Sequence, residues 1–140
     1  MGTNIKAHIE VQKDGVWYHY AAPHVLRDYT LFAAICGERM NPDWPVQPRP
    51  VSTHHEFPAD MSFVTRRCLE VDKYGRNPGW LTADELVKLQ DELYRVNPEI
   101  KRTGIDPLDL EESILRTYIA GNSIARHDGW DDVRLVYWFD

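Results

Sequence analysis

The chain has 140 residues, 43% apolar and 27% charged, which excludes a disordered chain, and the length suits a single domain over residues 1–140. No apolar run reaches the roughly 18 residues that span a bilayer, and no signal-peptide pattern opens the sequence, so we expect a cytoplasmic protein without membrane contact. The formal net charge of −6 repels phosphate backbones, which argues against duplex nucleic acid as a partner.

The first predicted element is a β-hairpin around Asp14-Gly15, a dipeptide typical of two-residue turns. Such a turn predicts these cross-strand pairs: Lys13–Val16, Val11–Tyr18 and Ile9–Tyr20. One face is then apolar, and the opposite face collects another set of side chains: Lys6, His8, Glu10, Gln12, Trp17 and His19.

A short capped helix is predicted next. Asp28 can accept hydrogen bonds from the free amides of the first turn, and Gly37 suits the left-handed residue that ends a helix. The predicted inward stripe consists of Leu31, Phe32, Ile35 and Cys36. The start of this helix is also a candidate pocket rim.

The middle of the chain is predicted to be mostly irregular. Residues 41–58 contain five prolines and should form an extended loop, a kind of segment that often carries function. Residues 59–72 should form a helix whose buried face consists of Met61, Val64, Cys68 and Val71. Residues 74–80 contain Asn77-Pro78-Gly79 and should form a turn.

Two further helices and one strand complete the predicted elements. Thr82 and Glu85 form a capping box for a helix that buries Leu86, Leu89, Leu93 and Val96, and Leu81 can pack on its start. Another helix runs from Asp106 to Gly121. Residues 131–140 should form a strand near the middle of a sheet, because both of its faces are largely apolar. The predicted fold is α+β: an antiparallel sheet of the hairpin and this strand, packed by about four helices.

The sequence contains no recognisable catalytic or metal motif. His54, His55, Glu56 and Asp60 lie close together but lack a known ligand spacing. His127-Asp128 can orient an imidazole for acid–base work or simply form a turn, and no serine lies in a nucleophile elbow. Cys36 and Cys68 are expected to be small buried thiols. We therefore assign no catalytic residue, no metal and no cofactor, and the question of enzyme activity stays open.

Arginines and aromatic residues supply another kind of chemistry, in which guanidinium groups hold phosphate and rings stack on bases. In this hypothesis Arg27, Arg66 and Arg67 bind phosphate. Trp17, Tyr29 or Trp80 would stack. The candidate ligand-binding residues are Trp17, His19, His24, Arg27, Asp28, Tyr29, Arg66, Arg67 and Trp80. The alternative is that the rings belong to the core and the arginines to helix surfaces.

Several short stretches resemble a group of small, mostly uncharacterised bacteriophage proteins: "IEVQKDGVWYHYAAP", "RDYTLFAAICGERM", "PADMSFVT", "WLTADEL" and "VRLVYWFD". Members of that group share a K-D-G-x-W hairpin, an R-D/N-Y-x-L-F-A helix start and a terminal V-R-x-V-x-x-F-D strand. Where members often have a His/Ser-rich turn, this chain has "RNPG". The resemblance implies a phage accessory protein, expressed in the bacterial host cytoplasm, that binds and neutralises a host antiviral defence component.

Combining these observations, the leading interpretation is a non-enzymatic protein that sequesters a nucleotide-type immune signal. One alternative is a small hydrolase that uses His24, His127 or Asp128 on such a signal. Another is an inhibitor of a host defence protein, or a virion accessory protein, with no small ligand. Exposed sheet edges and the apolar last strand predict a homo-oligomer.

Overall fold

The structure is a computed structural model and describes residues 2–72, 75–99 and 129–140. Its elements in chain order are β1 (Ile5–Lys13), β2 (Val16–Ala21), α1 (Tyr29–Cys36), α2 (Phe63–Val71), β3 (Arg76–Thr82), α3 (Ala83–Val96) and β4 (Asp132–Phe139). The strands form one antiparallel sheet in the order β2-β1-β4-β3. The predicted α+β class is confirmed, with three helices in the described ranges. The helix predicted from Asp106 to Gly121 lies outside them.

The β1–β2 hairpin turns at Asp14 and Gly15, whose φ angles are 51° and 81°. Positive φ at both positions is the geometry of the turn that matches strand twist. The predicted Lys13–Val16 and Val11–Tyr18 pairs are confirmed. The Ile9–Tyr20 pair is wrong, because a bulge beyond the Glu10–His19 pair shifts the register and places Ile9 opposite Ala21.

Strand β4 is one of the two inner strands, as predicted from its two apolar faces. It pairs with β1 on one side and with β3 on the other. Every residue from Val133 to Phe139 is buried. Because β1 and β4 are neighbours, segments far apart in the sequence meet in the middle of the sheet.

One face of the sheet packs against α1 and α3 through the main hydrophobic core. The predicted caps are confirmed: the Asp28 carboxylate accepts from the first turn of α1, Gly37 ends α1 at φ 87°, and Thr82 forms a capping box with Glu85. The buried helix residues include Leu31, Phe32, Ile35, Leu86, Leu89 and Leu93. These local signals therefore predicted both helices and their inward faces.

The predicted helix over 59–72 is wrong in its start and its face. Helix α2 begins at Phe63 after a Ser62 cap, and its buried residue is Thr65. Val64 and Val71 are 47% and 75% exposed. The sheet face beside α2 is rich in polar groups. The short polar side chain of Thr65 therefore faces this sheet, in place of the predicted apolar side chains.

Two further predictions are also wrong. Residues 74–80 were expected to form a turn, but Arg76–Thr82 is β3, an edge strand. An edge tolerates Pro78, which has no N–H to donate, and an irregularity between Arg76 and Gly79 accommodates Asn77 at φ 49°. The cysteines are not both buried: Cys68 is exposed and Cys36 is half-buried.

In the described ranges no helix is both long and apolar enough to cross a bilayer.

Candidate functional site

A buried ion pair organises the sheet face opposite α1 and α3. Arg134 donates through Nε and Nη2 to Glu10 Oε1 at 2.9 and 2.8 Å, and through Nη1 to Asp60 Oδ1 at 2.9 Å. The backbone N–H of Ser62 donates to Glu10 Oε2 at 2.8 Å. The side chains of Arg134 and Glu10 are 3% and 0% exposed. This network holds the segment before α2 against the sheet.

Trp17 and Trp80 flank this ion pair. The Arg134 guanidinium lies 3.9 Å from the centroid of the Trp17 ring and 5.4 Å from that of Trp80. The imidazole of His54 stacks on Trp80 at 3.8 Å. The two tryptophans, both candidate stacking residues, therefore lie around the same side chain, and each ring already contacts the Arg134 cation.

A histidine pair lies farther along the same face. His8 Nδ1 and His19 Nε2 are 3.1 Å apart, and the His8 ring stacks on Trp138 at 4.9 Å. Burial and the neighbouring His19 lower the pKa of His8 to about 4, although Glu10 acts in the opposite direction. Burial also lowers the pKa of His19. Both rings are therefore neutral at pH 7, and one donates its N–H to the other.

The first cavity, which we call the α2 cleft, has a volume of about 600 Å³ and lies between α2, β1 and β4. Its lining includes Lys6, His8, Arg67, Val71, Asp72 and Trp138. Trp138 Nε1 donates to Asp72 Oδ2 at 2.7 Å, which fixes the ring at the cavity wall. The cations are balanced locally, since Lys6 Nζ is 3.6 Å from Asp140 and Arg67 Nη1 is 2.8 Å from Glu70.

Another cavity, which we call the β1-edge cavity, has a volume of about 410 Å³. Strand β2 ends at Ala21 opposite Ile9, so within the described ranges no strand pairs with the outer edge of residues 5–8. Residues 22–25 line the other side of this gap, and the lining includes Asn4, Lys6, His8, Pro23, His24 and Val25. Lys6 and His8 line both cavities.

The structure separates the predicted site residues into those around the two cavities and those elsewhere. Arg67 lines the α2 cleft, His24 lines the β1-edge cavity, and His19 contacts the shared His8. Arg27 lies beside the β1-edge cavity and donates to Asn4 Oδ1 through Nε and Nη2 at 3.1 and 3.0 Å. These four residues therefore lie around the α2 cleft and the β1-edge cavity.

The other candidates are elsewhere. Trp17 and Trp80 surround Arg134, as described above. Asp28 Oδ1 accepts from Thr30 and Leu31 as the cap of α1. The Tyr29 hydroxyl accepts from the Thr3 backbone N–H at 3.2 Å. Arg66 donates to the Ala59 carbonyl oxygen at 3.5 Å, away from the α2 cleft lining.

Sequence reasoning missed Lys6, His8 and Trp138 as site residues. A signal existed for the first two, because the hairpin pattern placed them on the same face as Trp17 and His19. Another signal was Arg134 inside an apolar strand, since a buried arginine requires a buried carboxylate. The stacking of Trp138 on His8 depends on the β1–β4 register, which the sequence does not reveal.

In the described part of the chain no group of three or more His, Cys, Asp or Glu side chains is arranged to hold a metal ion. Ser52 Oγ donates to the carbonyl oxygens of His54 and Trp80, so it does not use the nearby imidazole as a base. His127-Asp128 lies outside the described residues. The α2 cleft offers cations for an anion, carboxylates for N–H and O–H donors, and the flat Trp138 ring as a wall.

Comparison with known proteins indicates neither a family nor a function, since no protein-family model, curated protein or solved structure matches the chain.

Proposed function

We propose that the protein is a non-enzymatic binding protein that captures a nucleotide-type ligand in the α2 cleft. The observation that carries this proposal is the combination of groups around one cavity of about 600 Å³. The Trp138 ring and Val71 provide an apolar wall for a base, and Lys6 and Arg67 provide cations for phosphate. Asp72 and Asp140 provide acceptors for base N–H or ribose hydroxyl donors.

The charge balance of the cleft favours a nucleotide over a simple polyanion. Lys6 and Arg67 each have a carboxylate within 4 Å, and the whole chain carries a net charge of −6. A bare polyanion would meet a nearly neutral site on a negative protein. A nucleotide has both an anionic group and several hydrogen-bond donors, so it can use the cations and the carboxylates together.

The resemblance to bacteriophage proteins suggests the biological setting. In this proposal the protein acts in the cytoplasm of an infected bacterium and removes a nucleotide-type immune signal by holding it. Sequestration requires only tight binding, which agrees with the binding groups that line the cleft.

The proposal is tested by calorimetric titration and thermal-shift measurements with nucleoside monophosphates, ADP-ribose and cyclic dinucleotides. At least one of these should bind. Arg67→Ala should then weaken binding about tenfold, because it removes a charged hydrogen-bond donor. Arg66→Ala is the matched control on the same helix and should stay within about twofold of wild type. No response to any of these compounds would contradict the proposal.

A second measurement separates capture from hydrolysis. The protein is incubated with the bound compound, denatured, and the small molecule is analysed by chromatography. Intact ligand is the expected result. Cleaved product would contradict sequestration and favour the hydrolase alternative, in which His24 is the described candidate. Retention of a defence protein from infected cells, without any bound nucleotide, would favour the protein-inhibitor alternative.

A further inference from the structure

We infer that the β1-edge cavity is the second half of the binding site, so that the ligand is a dinucleotide: two nucleoside units joined through phosphate. This inference rests on the proposed function and specifies its ligand class. In this arrangement one nucleoside occupies the α2 cleft, the other occupies the β1-edge cavity, and the linking phosphate lies at Lys6.

The first argument is the connection between the two cavities. Their volumes are about 600 and 410 Å³, and Lys6 and His8 line both of them. The Lys6 side chain is 49% exposed, so its ammonium group is accessible from solvent. Among the described residues that line the two cavities, Lys6 is the cation common to both. A phosphate bound there would therefore carry a substituent toward each side.

The second argument is the chemistry of the β1-edge cavity. In an antiparallel sheet, alternate residues direct their N–H and C=O groups away from a given neighbour. In residues 5–8 those outward groups face this cavity, and no backbone hydrogen bond within the described ranges links them to residues 22–25. Exposed strand N–H and C=O groups can pair with the donors and acceptors of a base edge. Pro23 and Val25 supply apolar surface, and the exposed imidazole of His24 can stack on a ring.

The third argument is the charge of Arg27, which is hydrogen-bonded to Asn4 in the lining of this cavity. Arg27 donates to the neutral amide oxygen of Asn4 at 3.1 and 3.0 Å. This bond does not neutralise the guanidinium charge. A positive group next to the cavity adds to the charge of Lys6 and favours a ligand with an anionic linking group over a neutral one.

The test compares AMP and GMP with the dinucleoside monophosphates ApA and GpG by calorimetric titration. The dinucleoside compounds carry less negative charge than the mononucleotides, so any gain in their affinity comes from the second nucleoside. For at least one base we expect ApA or GpG to bind about tenfold more tightly than its mononucleotide, which is about 1.4 kcal/mol.

Variants of the β1-edge cavity test whether this cavity provides the gain in dinucleotide affinity. Ala22→Leu fills the β1-edge cavity and His24→Ala removes a wall, so each should lower the dinucleotide affinity to that of the mononucleotide. Both should leave mononucleotide affinity within about twofold. Ala59→Leu is the matched control, because Ala59 is exposed and lines neither cavity.

The outcomes distinguish this inference from the proposed function. Equal affinities for mononucleotide and dinucleotide would overturn the second subsite and leave the α2 cleft as a mononucleotide site. Weakening of both ligands to the same degree by Ala22→Leu would also overturn it. Absence of binding by all four compounds and by the larger panel above would overturn the proposed function, and this inference with it.

Discussion

His8 is a histidine that the fold keeps uncharged. It stacks on Trp138, contacts His19 and is 6% exposed, and these surroundings lower its pKa from the ordinary value of 6.5 to about 4. The folded chain therefore binds this proton less tightly than the unfolded chain. With respect to this group, the free energy of unfolding is therefore highest above pH 6.5 and decreases as the pH falls toward 4. The pKa shift corresponds to about 3 kcal/mol.

This prediction is checked by measuring the free energy of unfolding in denaturant between pH 7 and pH 4.5. The wild-type protein should lose stability across this range, and His8→Phe should lose less because the titrating group is gone. His55→Phe, at an exposed position, controls for replacing one histidine by phenylalanine. Equal pH dependence in the wild type and His8→Phe would contradict the prediction.

At the residue scale the candidate site was only partly predictable. Alternation along the hairpin placed Lys6, His8 and His19 on one face, and the structure keeps them there. Alternation does not show that α2 covers part of this face, since that depends on long-range contacts. The sequence predicts that Arg27 and Arg67 bind phosphate together, yet they lie beside different cavities.

At the scale of single elements, β3 shows how a partner strand overrides local preference. Asn77, Pro78 and Gly79 are turn formers, and their local preference is for a bend. Strand β4 offers a hydrogen-bonding edge, and Gly79 pairs with Tyr137 there. Helices α1 and α3 were predictable because their caps and apolar stripes are local features. The face of α2 was not, because the polar network beneath it is assembled from distant residues.

Gly79 leads to a prediction for β3. A Cβ atom at this position would lie 2.5 Å from the His54 carbonyl oxygen and would clash with the Tyr137 hydroxyl. Gly79→Ala should therefore lower the free energy of unfolding by about 1–3 kcal/mol, the usual cost of overpacking. Adding Tyr137→Phe removes the hydroxyl but leaves the ring carbon Cζ at 2.6 Å, so the double variant should recover only a small part of the loss. Chemical denaturation measures both, and unchanged stability in Gly79→Ala would contradict the packing described for β3.

At the scale of the whole molecule, strand β2 is the exposed edge that bears on oligomeric state. Its sequence, "VWYHYA", contains no acidic residue, lysine, arginine or proline, although such residues commonly protect edge strands. Val16, Tyr18 and Tyr20 are 52%, 47% and 44% exposed. We expect two copies to pair through β2, which would bury this row and extend the sheet.

Light scattering coupled to size-exclusion chromatography tests this expectation. The wild-type protein should be a dimer, and Tyr18→Lys should shift it to a monomer by placing like charges at the interface. Leu26→Lys, at a position that is 60% exposed and outside β2, should remain a dimer. A monomeric wild-type protein at micromolar concentration would show that this edge does not associate.

The inner position of β4 has a consequence for how the protein is made. On the ribosome β1, β2 and β3 are synthesised before β4, and among the strands of the described sheet β3 pairs with β4. The nascent chain can form the hairpin and α3 early, but the sheet cannot close until β4 emerges from the exit tunnel. Until then the Glu10 carboxylate also lacks its ion-pair partner, Arg134. Such long-range closure slows folding, so the newly made chain spends a period with unpaired strand edges that chaperones can bind.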